Sequence, residues 1–364
     1  MAVLLGTANG FMLTGRTITM ARIDPIVFPK GSDPKAGHVH NVVGSANFGV
    51  DSTFDTLSSA SCTSVENTAD KSAYWQPAIY SILPNSTIVP LPMYEARIYY
   101  LCNHGPNVTA PPKGLRMIGG DSMALDAAGN KTKGAKAATL GCQMGSLRNS
   151  TNEYQARGFP GFSQGRPLKC GAFLRASVQM PDCWDGIHLD SPDHFTHVAY
   201  SENSGLKCPS THPVRMPAIV LEWGYDSKDY DPASLVLSSG DRTGYKLHAD
   251  FFMGWDENVI AKAVVDPTCL KREDDLGDPG QCAALGPTHD DNAAANCKLA
   301  TQVPQEPVGL TTPITELPGC NLLSDGSGGP KTCSAAQMNS ISTTLVDPTY
   351  VQFGSIAPNL AIAK

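Results

Sequence analysis

Short apolar or alternating segments make up most of the chain from about Arg22 to Leu270, and Pro, Gly, Asn and Asp separate them. Residues 96–101, 115–118 and 218–221 are three of these segments. Runs of this kind, rich in β-branched and aromatic residues and bounded by turn formers, are typical of strands. The pattern therefore predicts a mainly β protein with a β-sandwich-like core, long loops and few short helices.

Composition favours the same fold and excludes one class of partner. Gly (34) and Pro (28) together make 62 of the 364 residues, or 17%. An average protein has roughly 12%, so the excess favours turns over long helices. Charged residues are only 17% of the chain and the net charge is -7. A chain without a basic surface is not expected to bind nucleic acid.

Cysteines and glycosylation sequons indicate a secreted, extracellular protein braced by disulfides. Eleven cysteines are spread along the chain without a C-x-x-C pair, a distribution that suits disulfides better than a zinc knuckle. Four Asn-x-Ser/Thr sequons, typical of glycoproteins, lie at Asn85, Asn107, Asn130 and Asn149. Because the number of cysteines is odd, one of them is free, paired between chains or missing its partner.

The composition divides the chain into four parts. Residues 1–10 resemble the end of a signal peptide, in a truncated or degenerate form. Residues 11–267 carry the strand pattern and are predicted to form the main β-rich domain. Residues 268–300 are an acidic appendage bracketed by cysteines, and residues 301–364 are an irregular tail rich in Pro, Thr and Ser. No run approaches the ~18 apolar residues of a membrane span.

Histidines stand beside one another or beside carboxylates in three short windows. Five of the 9 histidines lie there, in the groups His38-x-His40, His194 with His197, and His248-x-Asp250. Because side chains alternate along an extended segment, His-x-His and His-x-Asp each place two ligand-type groups on one face. If the windows converge, we expect His38, His40, His194 and His248 to bind one divalent metal ion. Zinc, copper and manganese all suit these ligands.

Residues 183–200 form the densest of these windows. A Ser-Pro dipeptide there is typical of a helix N-terminus, so a short turn would place His194 and His197 on one face. Asp190 is close in sequence, and a carboxylate behind a histidine fixes its tautomer and raises its basicity. We expect His194, His197 and Asp190 to act in catalysis. The alternative is that the Asp and Ser residues only form turns and that the histidines bond to backbone carbonyls.

Catalysis without a metal ion fits the same residues. Asp190 with Asp250 could act as acid and base on a glycosidic bond, and a histidine with a tyrosine could catalyse an elimination. Flat apolar side chains with a polar edge suit carbohydrate rings. The candidates for substrate binding are Trp184, Tyr200, Tyr245 and Trp255. The alternative is that these aromatic side chains fill the core.

Five motifs, in a fixed order, carry a family resemblance. They lie in residues 22–40, 70–80, 114–120, 183–200 and 240–256, and include Arg22-Ile23-Asp24-Pro25, Tyr74-Trp75-Gln76-Pro77 and Cys183-Trp184-Asp185-Gly186. Together they resemble a secreted domain-of-unknown-function family, numbered nineteen ninety-six, of filamentous fungi and some actinobacteria. Some members are fused to WSC cell-wall carbohydrate-binding modules, which implies an extracellular glycan context. Members commonly have a cysteine where this chain has Gly15, and the resemblance offers this departure as the reason for the odd cysteine count.

Two hypotheses follow. The first is a secreted carbohydrate-active protein that acts on an extracellular or cell-wall polysaccharide through a His/Asp centre, either metal-assisted or purely acid/base. The second is a non-catalytic cell-wall-associated or glycan-binding protein in which the polar clusters are structural. The positions of His40, His194 and His248 test the shared metal site. Imidazoles more than roughly 10 Å apart cannot share an ion, because bonds to zinc-like ions are only ~2 Å long.

Overall fold

The computed structural model describes residues 9–29, 37–102, 107–124, 134–144, 151–160, 170, 173–202, 207–272, 276, 279–325, 333–335, 338 and 341–348. Strands account for 34% of the protein and helices for 12%, which confirms the mainly β fold. Most of the leader-like segment and the sequons at Asn130 and Asn149 lie outside the described residues.

The larger sheet has seven strands, and every neighbouring pair in it is antiparallel. From edge to edge the strands are β10 (Thr151–Ala156), β9 (Ala138–Met144), β11 (Phe173–Gln179), β15 (Ala218–Tyr225), β7 (Met93–Leu101), β1 (Asn9–Gly15) and β18 (Lys271–Arg272). The long central strands β7 and β15 contain two of the apolar segments from which strands were predicted.

A second, five-stranded antiparallel sheet carries the residues of functional interest. From edge to edge its strands are β2 (Thr19–Ala21), β3 (His40–Gly44), β4 (Ala73–Pro77), β17 (His248–Phe252) and β8 (Arg116–Gly120). Every residue of β2, β3, β4 and β17 is buried. Both faces of this sheet are therefore covered.

One face of the five-stranded sheet packs on the seven-stranded sheet. The hydroxyls of Tyr74 and Tyr100 are hydrogen-bonded at 2.7 Å, and the Asn41 side-chain amide donates to the Tyr225 hydroxyl at 3.2 Å. Apolar residues of both sheets belong to a single core cluster. The two sheets are thus the layers of a β-sandwich-like core.

The opposite face of the five-stranded sheet holds polar side chains. Side chains alternate along a strand, so residues next to those of the sandwich core point away from it. His40 lies on this face opposite Pro77, and Asp250 lies there opposite Trp75. Trp75 packs on Phe48 with ring centroids 5.1 Å apart, and both side chains are fully buried. This face is therefore also covered, although it carries charged and imidazole groups.

Smaller elements complete the described part of the chain. The remaining strands form three small sheets. The first consists of β13 (Val198–Ala199), β12 (Cys183–Trp184) and β14 (Val214–Arg215), and the second of β16 (Leu235–Leu237), β5 (Ile79–Ile82) and β6 (Ile88–Pro90). The third pairs β19 (Val303–Pro304) with β20 (Leu345–Val346). The helices are α1 (Phe54–Ser58), α2 (Glu257–Ala263) and α3 (Asp291–Asn296), and short 3₁₀ turns lie at Gly134–Ala137, Pro232–Ser234, Pro279–Gln281 and Gly286–Thr288. Thr53, Asp256 and Asp290 begin the three α-helices, and each side chain accepts a backbone N–H of the first turn. No described helix is long and apolar enough to cross a membrane.

Ten of the eleven cysteines form five disulfides. The pairs are Cys62–Cys297, Cys142–Cys170, Cys183–Cys208, Cys269–Cys282 and Cys320–Cys333. The first of these ties the predicted acidic appendage to the main domain. The second, third and fifth join segments that are close in sequence, and the fourth closes a loop within that appendage.

Cys102 is the free cysteine, and it is buried. Its backbone N–H donates to the carbonyl of Asn9 at one end of β1, whereas Gly15 lies at the other end, paired with Ala96. Six residues of strand span ~20 Å, and the Cα atoms of a disulfide lie only ~6 Å apart. A cysteine in place of Gly15 would not reach Cys102, so the departure at Gly15 does not explain the unpaired thiol.

Candidate metal centre

Three histidines from two of the predicted windows meet on the covered face of the five-stranded sheet. Ring centroids are 4.3 Å apart for His38 and His40, 5.1 Å for His38 and His248, and 6.1 Å for His40 and His248. One ring nitrogen of each lies within 4.8 Å of the others. His40 is 0% and His248 is 4% exposed, while His38 is half-buried. His38 therefore forms the side of the cluster nearest to solvent.

The strands explain why these side chains meet. His40 begins β3, and His38 precedes it by two residues, so both lie on one side of the chain. His248 begins β17, and β4 lies between β3 and β17. Pro77 of β4 faces His40, and Gly120 of β8 faces His248. Neither neighbour has a long side chain, so the imidazoles can lean toward each other across β4.

The backbone fixes His248 in one tautomer. Its Nδ1 lies 2.8 Å from the carbonyl oxygen of Lys246. Because a carbonyl oxygen only accepts, Nδ1 carries the proton and donates. Nε2 therefore has a free lone pair and lies 4.0 Å from Oδ2 of Asp250. Metal-binding histidines commonly donate one ring N–H to a carbonyl in this way while the other nitrogen faces the ion.

His40 has no such hydrogen bond. Both of its ring nitrogens are buried without a hydrogen-bond partner, and so is Nε2 of His38. Burial, and after it the neighbouring imidazoles, lowers the pKa of His38 and of His40 well below 6.5, although the backbone of Ile23 opposes the shift at His40. Burial also lowers the pKa of His248. All three imidazoles are therefore neutral at neutral pH, which is the form that binds metal ions.

Two carboxyl groups adjoin His40. Asp24, His40 and Asp250 each offer one ligand atom within 4.8 Å of the others. Asp250 is 0% exposed and neither of its carboxylate oxygens has a hydrogen bond, whereas Oδ1 of Asp24 accepts from the N–H groups of Ile26 and Val27. Burial raises the pKa of Asp24 to about 6. Burial and the nearby Asp24 raise the pKa of Asp250 well above its ordinary value.

The donor types and spacing of these groups fit a metal ion. Three nitrogens that each lie ~2.1 Å from one ion are at most ~3.6 Å apart. Separations of up to 4.8 Å therefore require the side chains to approach one another by up to ~1.2 Å on binding. A buried polar group without a partner costs about 1–3 kcal/mol. An ion would supply the partner that His40 and Asp250 lack.

His194 lies beside the three-histidine cluster and not within it. Its Nδ1–H donates to Oδ1 of Asp190 at 2.7 Å, and Nη1 of Arg116 is 3.8 Å from the other oxygen of that carboxylate. The backbone of His194 is left-handed, with φ 58°, which is uncommon for a residue other than glycine. His194 is close enough to Asp24 to lower its pKa. Among the described residues, no cluster of potential metal ligands includes His194.

Both ring nitrogens of His197 are hydrogen-bonded. Nε2 lies 2.7 Å from the carbonyl oxygen of Arg116 and Nδ1 lies 2.8 Å from the hydroxyl of Ser191. The residue is 1% exposed. These contacts hold the loop of residues 185–197 against the edge strand β8. The structure thus places His197 as the backbone-bonded histidine that the sequence left open as an alternative.

The four aromatic candidates for substrate binding lie in different environments. Trp255 is 0% exposed and its indole N–H donates to the Tyr100 hydroxyl, and Tyr245 is 8% exposed. Neither presents a ring face to solvent for a sugar. The half-buried Tyr200 donates to the carbonyl of Gln179 and accepts from the backbone N–H of Gly120. Only Trp184, also half-buried at the end of β12, lies beside an exposed segment, residues 186–189.

Sequence reasoning did not single out Asp24 as a site residue. It stands alone, without a histidine at same-face spacing, so no local pattern marked it. The only available signal was its place in the Arg22-to-Pro25 motif of the family resemblance.

A separate cavity of about 440 Å³ lies near α1 and α2, lined among others by Phe54, Lys71 and Glu257. None of the clustered histidines lines it. It therefore adds nothing to the proposed centre.

Comparison with known proteins agrees with the family resemblance. A family model described as "Domain of unknown function (DUF1996)" matches residues 24–255. The matched range includes every residue of the two ligand groups, from Asp24 to Asp250. No curated protein and no solved structure matches the chain.

Proposed function

Because the chain belongs to the DUF1996 family, whose function is unknown, we propose a function from its own residues: a secreted metalloprotein that acts on an extracellular polysaccharide. In this proposal His38, His40 and His248 hold a divalent transition-metal ion. Five disulfides are consistent with an oxidising compartment. The sequons at Asn85 and Asn107 lie at exposed positions, as glycosylation requires.

The observation that carries the proposal is the meeting of three neutral imidazoles, of which His40 has no hydrogen bond at either buried nitrogen and His38 has none at Nε2. Imidazole suits zinc, copper, iron or nickel better than magnesium or calcium. Three protein ligands leave a coordination position for water or substrate, which is typical of catalytic zinc sites. A purely structural cluster would instead have a partner for every buried ring nitrogen, as His197 has.

His194 is the proposed acid/base group. Its Nδ1–H is held by Asp190, so its Nε2 is the nitrogen that can accept and return a proton. A bound ion would polarise a substrate oxygen or lower the pKa of a water molecule. Asp24 and Asp250 supply negative charge close to the cation. These groups suit hydrolysis or elimination at a glycosidic bond.

In this proposal the polysaccharide binds at residues 184–190, next to His194. Ile187 is 74% exposed and Leu189 is 43% exposed, and the Trp184 indole N–H donates to the carbonyl of His188 at 2.6 Å. The indole is therefore held in place beside an apolar, accessible surface, as a sugar ring requires. Tyr245 and Trp255 are not used in this proposal because they are buried.

Metal binding is tested first, by elemental analysis and by zinc titration of chelator-treated protein from a secretory host. The wild type is expected to bind zinc, and His248→Ala is expected to lose that binding. His188→Ala is the matched control, because the His188 side chain is 64% exposed and lies in no ligand group of the described residues. Wild-type protein that stays metal-free, or equal losses in both variants, would reject the metal site.

Activity is tested next, by screening extracellular polysaccharides for released products. Turnover that requires the ion and disappears in His194→Ala supports the proposal. Turnover that survives chelation assigns the chemistry to the carboxyl groups alone. Glycan binding without product, unchanged in His248→Ala, supports the second hypothesis, a non-catalytic wall-associated protein.

A further inference from the structure

Asp24 and Asp250 form a close pair of carboxyl groups, of which Asp250 is fully buried and Asp24 half-buried. One oxygen from each lies within 4.8 Å of the other and of a His40 nitrogen. Asp250 is 0% exposed and both of its oxygens lack partners. Oδ1 of Asp24 accepts from the backbone N–H groups of Ile26 and Val27. Buried carboxylates are ordinarily paired or bound to a metal ion.

We propose that Asp24, His40 and Asp250 bind a second divalent cation, so that the centre holds two ions that share His40. The inference rests on the proposed three-histidine site, with which it has His40 in common. The mixed nitrogen and carboxylate ligands suit a zinc- or manganese-type ion.

His40 is able to serve both ions because neither of its nitrogens makes a close hydrogen bond, although the backbone of Ile23 lies near the ring. Both are buried and without partners, and His40 belongs to both ligand groups. By contrast, Nδ1 of His248 is committed to the carbonyl of Lys246. A histidine that binds two ions does so through one nitrogen each, as an imidazolate. The ring proton that His40 loses when the second ion binds passes to solvent.

The two ions would differ in charge and therefore in role. The ion among the three histidines has neutral ligands apart from the shared His40, so it retains positive charge and acts as the Lewis acid. The ion held by two carboxylates and the shared imidazolate is close to neutral. This ion would hold His40 in place and neutralise the negative charge of the two aspartates.

The test is a zinc titration of the full chain after chelation, with stoichiometry measured by elemental analysis. The wild type is expected to bind two zinc ions per chain, and Asp250→Asn is expected to bind one. Asp55→Asn, a control at an exposed carboxylate, is expected to bind two. Asp24→Asn keeps an oxygen for the N–H groups of Ile26 and Val27, and it serves as a second variant if Asp250→Asn does not fold.

The outcomes separate this inference from the proposed function. One ion in the wild type and one in both aspartate variants would leave the three-histidine site intact and overturn the second site. One ion in the wild type that is lost in a folded Asp250→Asn variant would mean a single ion with mixed ligands, which also overturns it. No ion in the wild type would reject both proposals.

Binding of Cu²⁺ provides a second test of whether both ions bind His40. Two Cu²⁺ ions joined through the His40 imidazolate are magnetically coupled, so the paramagnetic resonance signal per bound copper is expected to fall when the second ion binds. Two ions with undiminished, additive signals would show that they do not share His40.

Discussion

Replacing His40 with leucine tests whether this buried imidazole is retained for a ligand or for stability. His40 is 0% exposed and neither of its nitrogens has a hydrogen-bond partner. An unsatisfied buried polar group costs about 1–3 kcal/mol, whereas an apolar replacement of similar volume costs less than about 1.5 kcal/mol. In metal-free protein we therefore expect His40→Leu to be as stable as the wild type or more stable, by about 1 kcal/mol.

Adding zinc should make the wild type more stable than His40→Leu. At a free metal concentration of 100 times Kd, an ion that binds only the folded state stabilises it by about 2.7 kcal/mol. The wild type should gain this free energy and His40→Leu should not. Urea denaturation near neutral pH, with the disulfides intact, measures both proteins with chelator and with zinc.

The result that would refute the reasoning is a loss of more than about 2 kcal/mol for His40→Leu in the presence of chelator. Such a loss would show that His40 makes stabilising contacts in the metal-free protein. His188→Leu is the control, because it removes an exposed histidine whose ion pair with Asp185 is worth no more than about 1 kcal/mol and does not depend on zinc.

Three further predictions concern other residues. Zinc should raise the melting temperature of the wild type but not of His248→Ala in a thermal scan; equal shifts would place the bound ion elsewhere. Burial raises the pKa of Asp70 to about 6, so the folded protein binds the extra proton and unfolding free energy should fall as pH rises from about 4 through 6. Asp70→Asn should remove that part of the slope in urea titrations, and an unchanged slope would contradict it. Gly44 has φ 123° and an added Cβ would lie 1.9 Å from the Ser72 carbonyl oxygen, so Gly44→Ala should destabilise the fold by at least about 2 kcal/mol, and near-native stability by urea denaturation would be inconsistent with this geometry.

Local patterns were enough to predict the strands and part of the centre. The apolar segments around 96–101 and 218–221 are the central strands β7 and β15 because alternation and turn residues are local properties. The same rule placed His38 with His40 on one face. It could not show that β3 and β17 lie on either side of β4, since strand order depends on pairing between distant segments.

The remaining parts of the centre could not be predicted from the sequence, because they depend on contacts between distant segments. Asp24 lies in a loop and reaches His40 only because β2 pairs with β3. Trp255 and Tyr245 are buried, and residue type alone does not distinguish a core aromatic from one that binds sugar. His197 and His194 have the same local sequence context, yet only His197 donates to a backbone carbonyl of the neighbouring strand.

The distance along the chain between His40 and His248 has a consequence for biosynthesis. More than half of the polypeptide separates them, and β4 must dock between their strands before the imidazoles meet. Pairing between such remote segments is intrinsically slow. In the proposed centre an ion would therefore be bound only after the sheet has formed, with His38 on the side nearest to solvent, so metal capture would depend on the supply of ions where folding is completed.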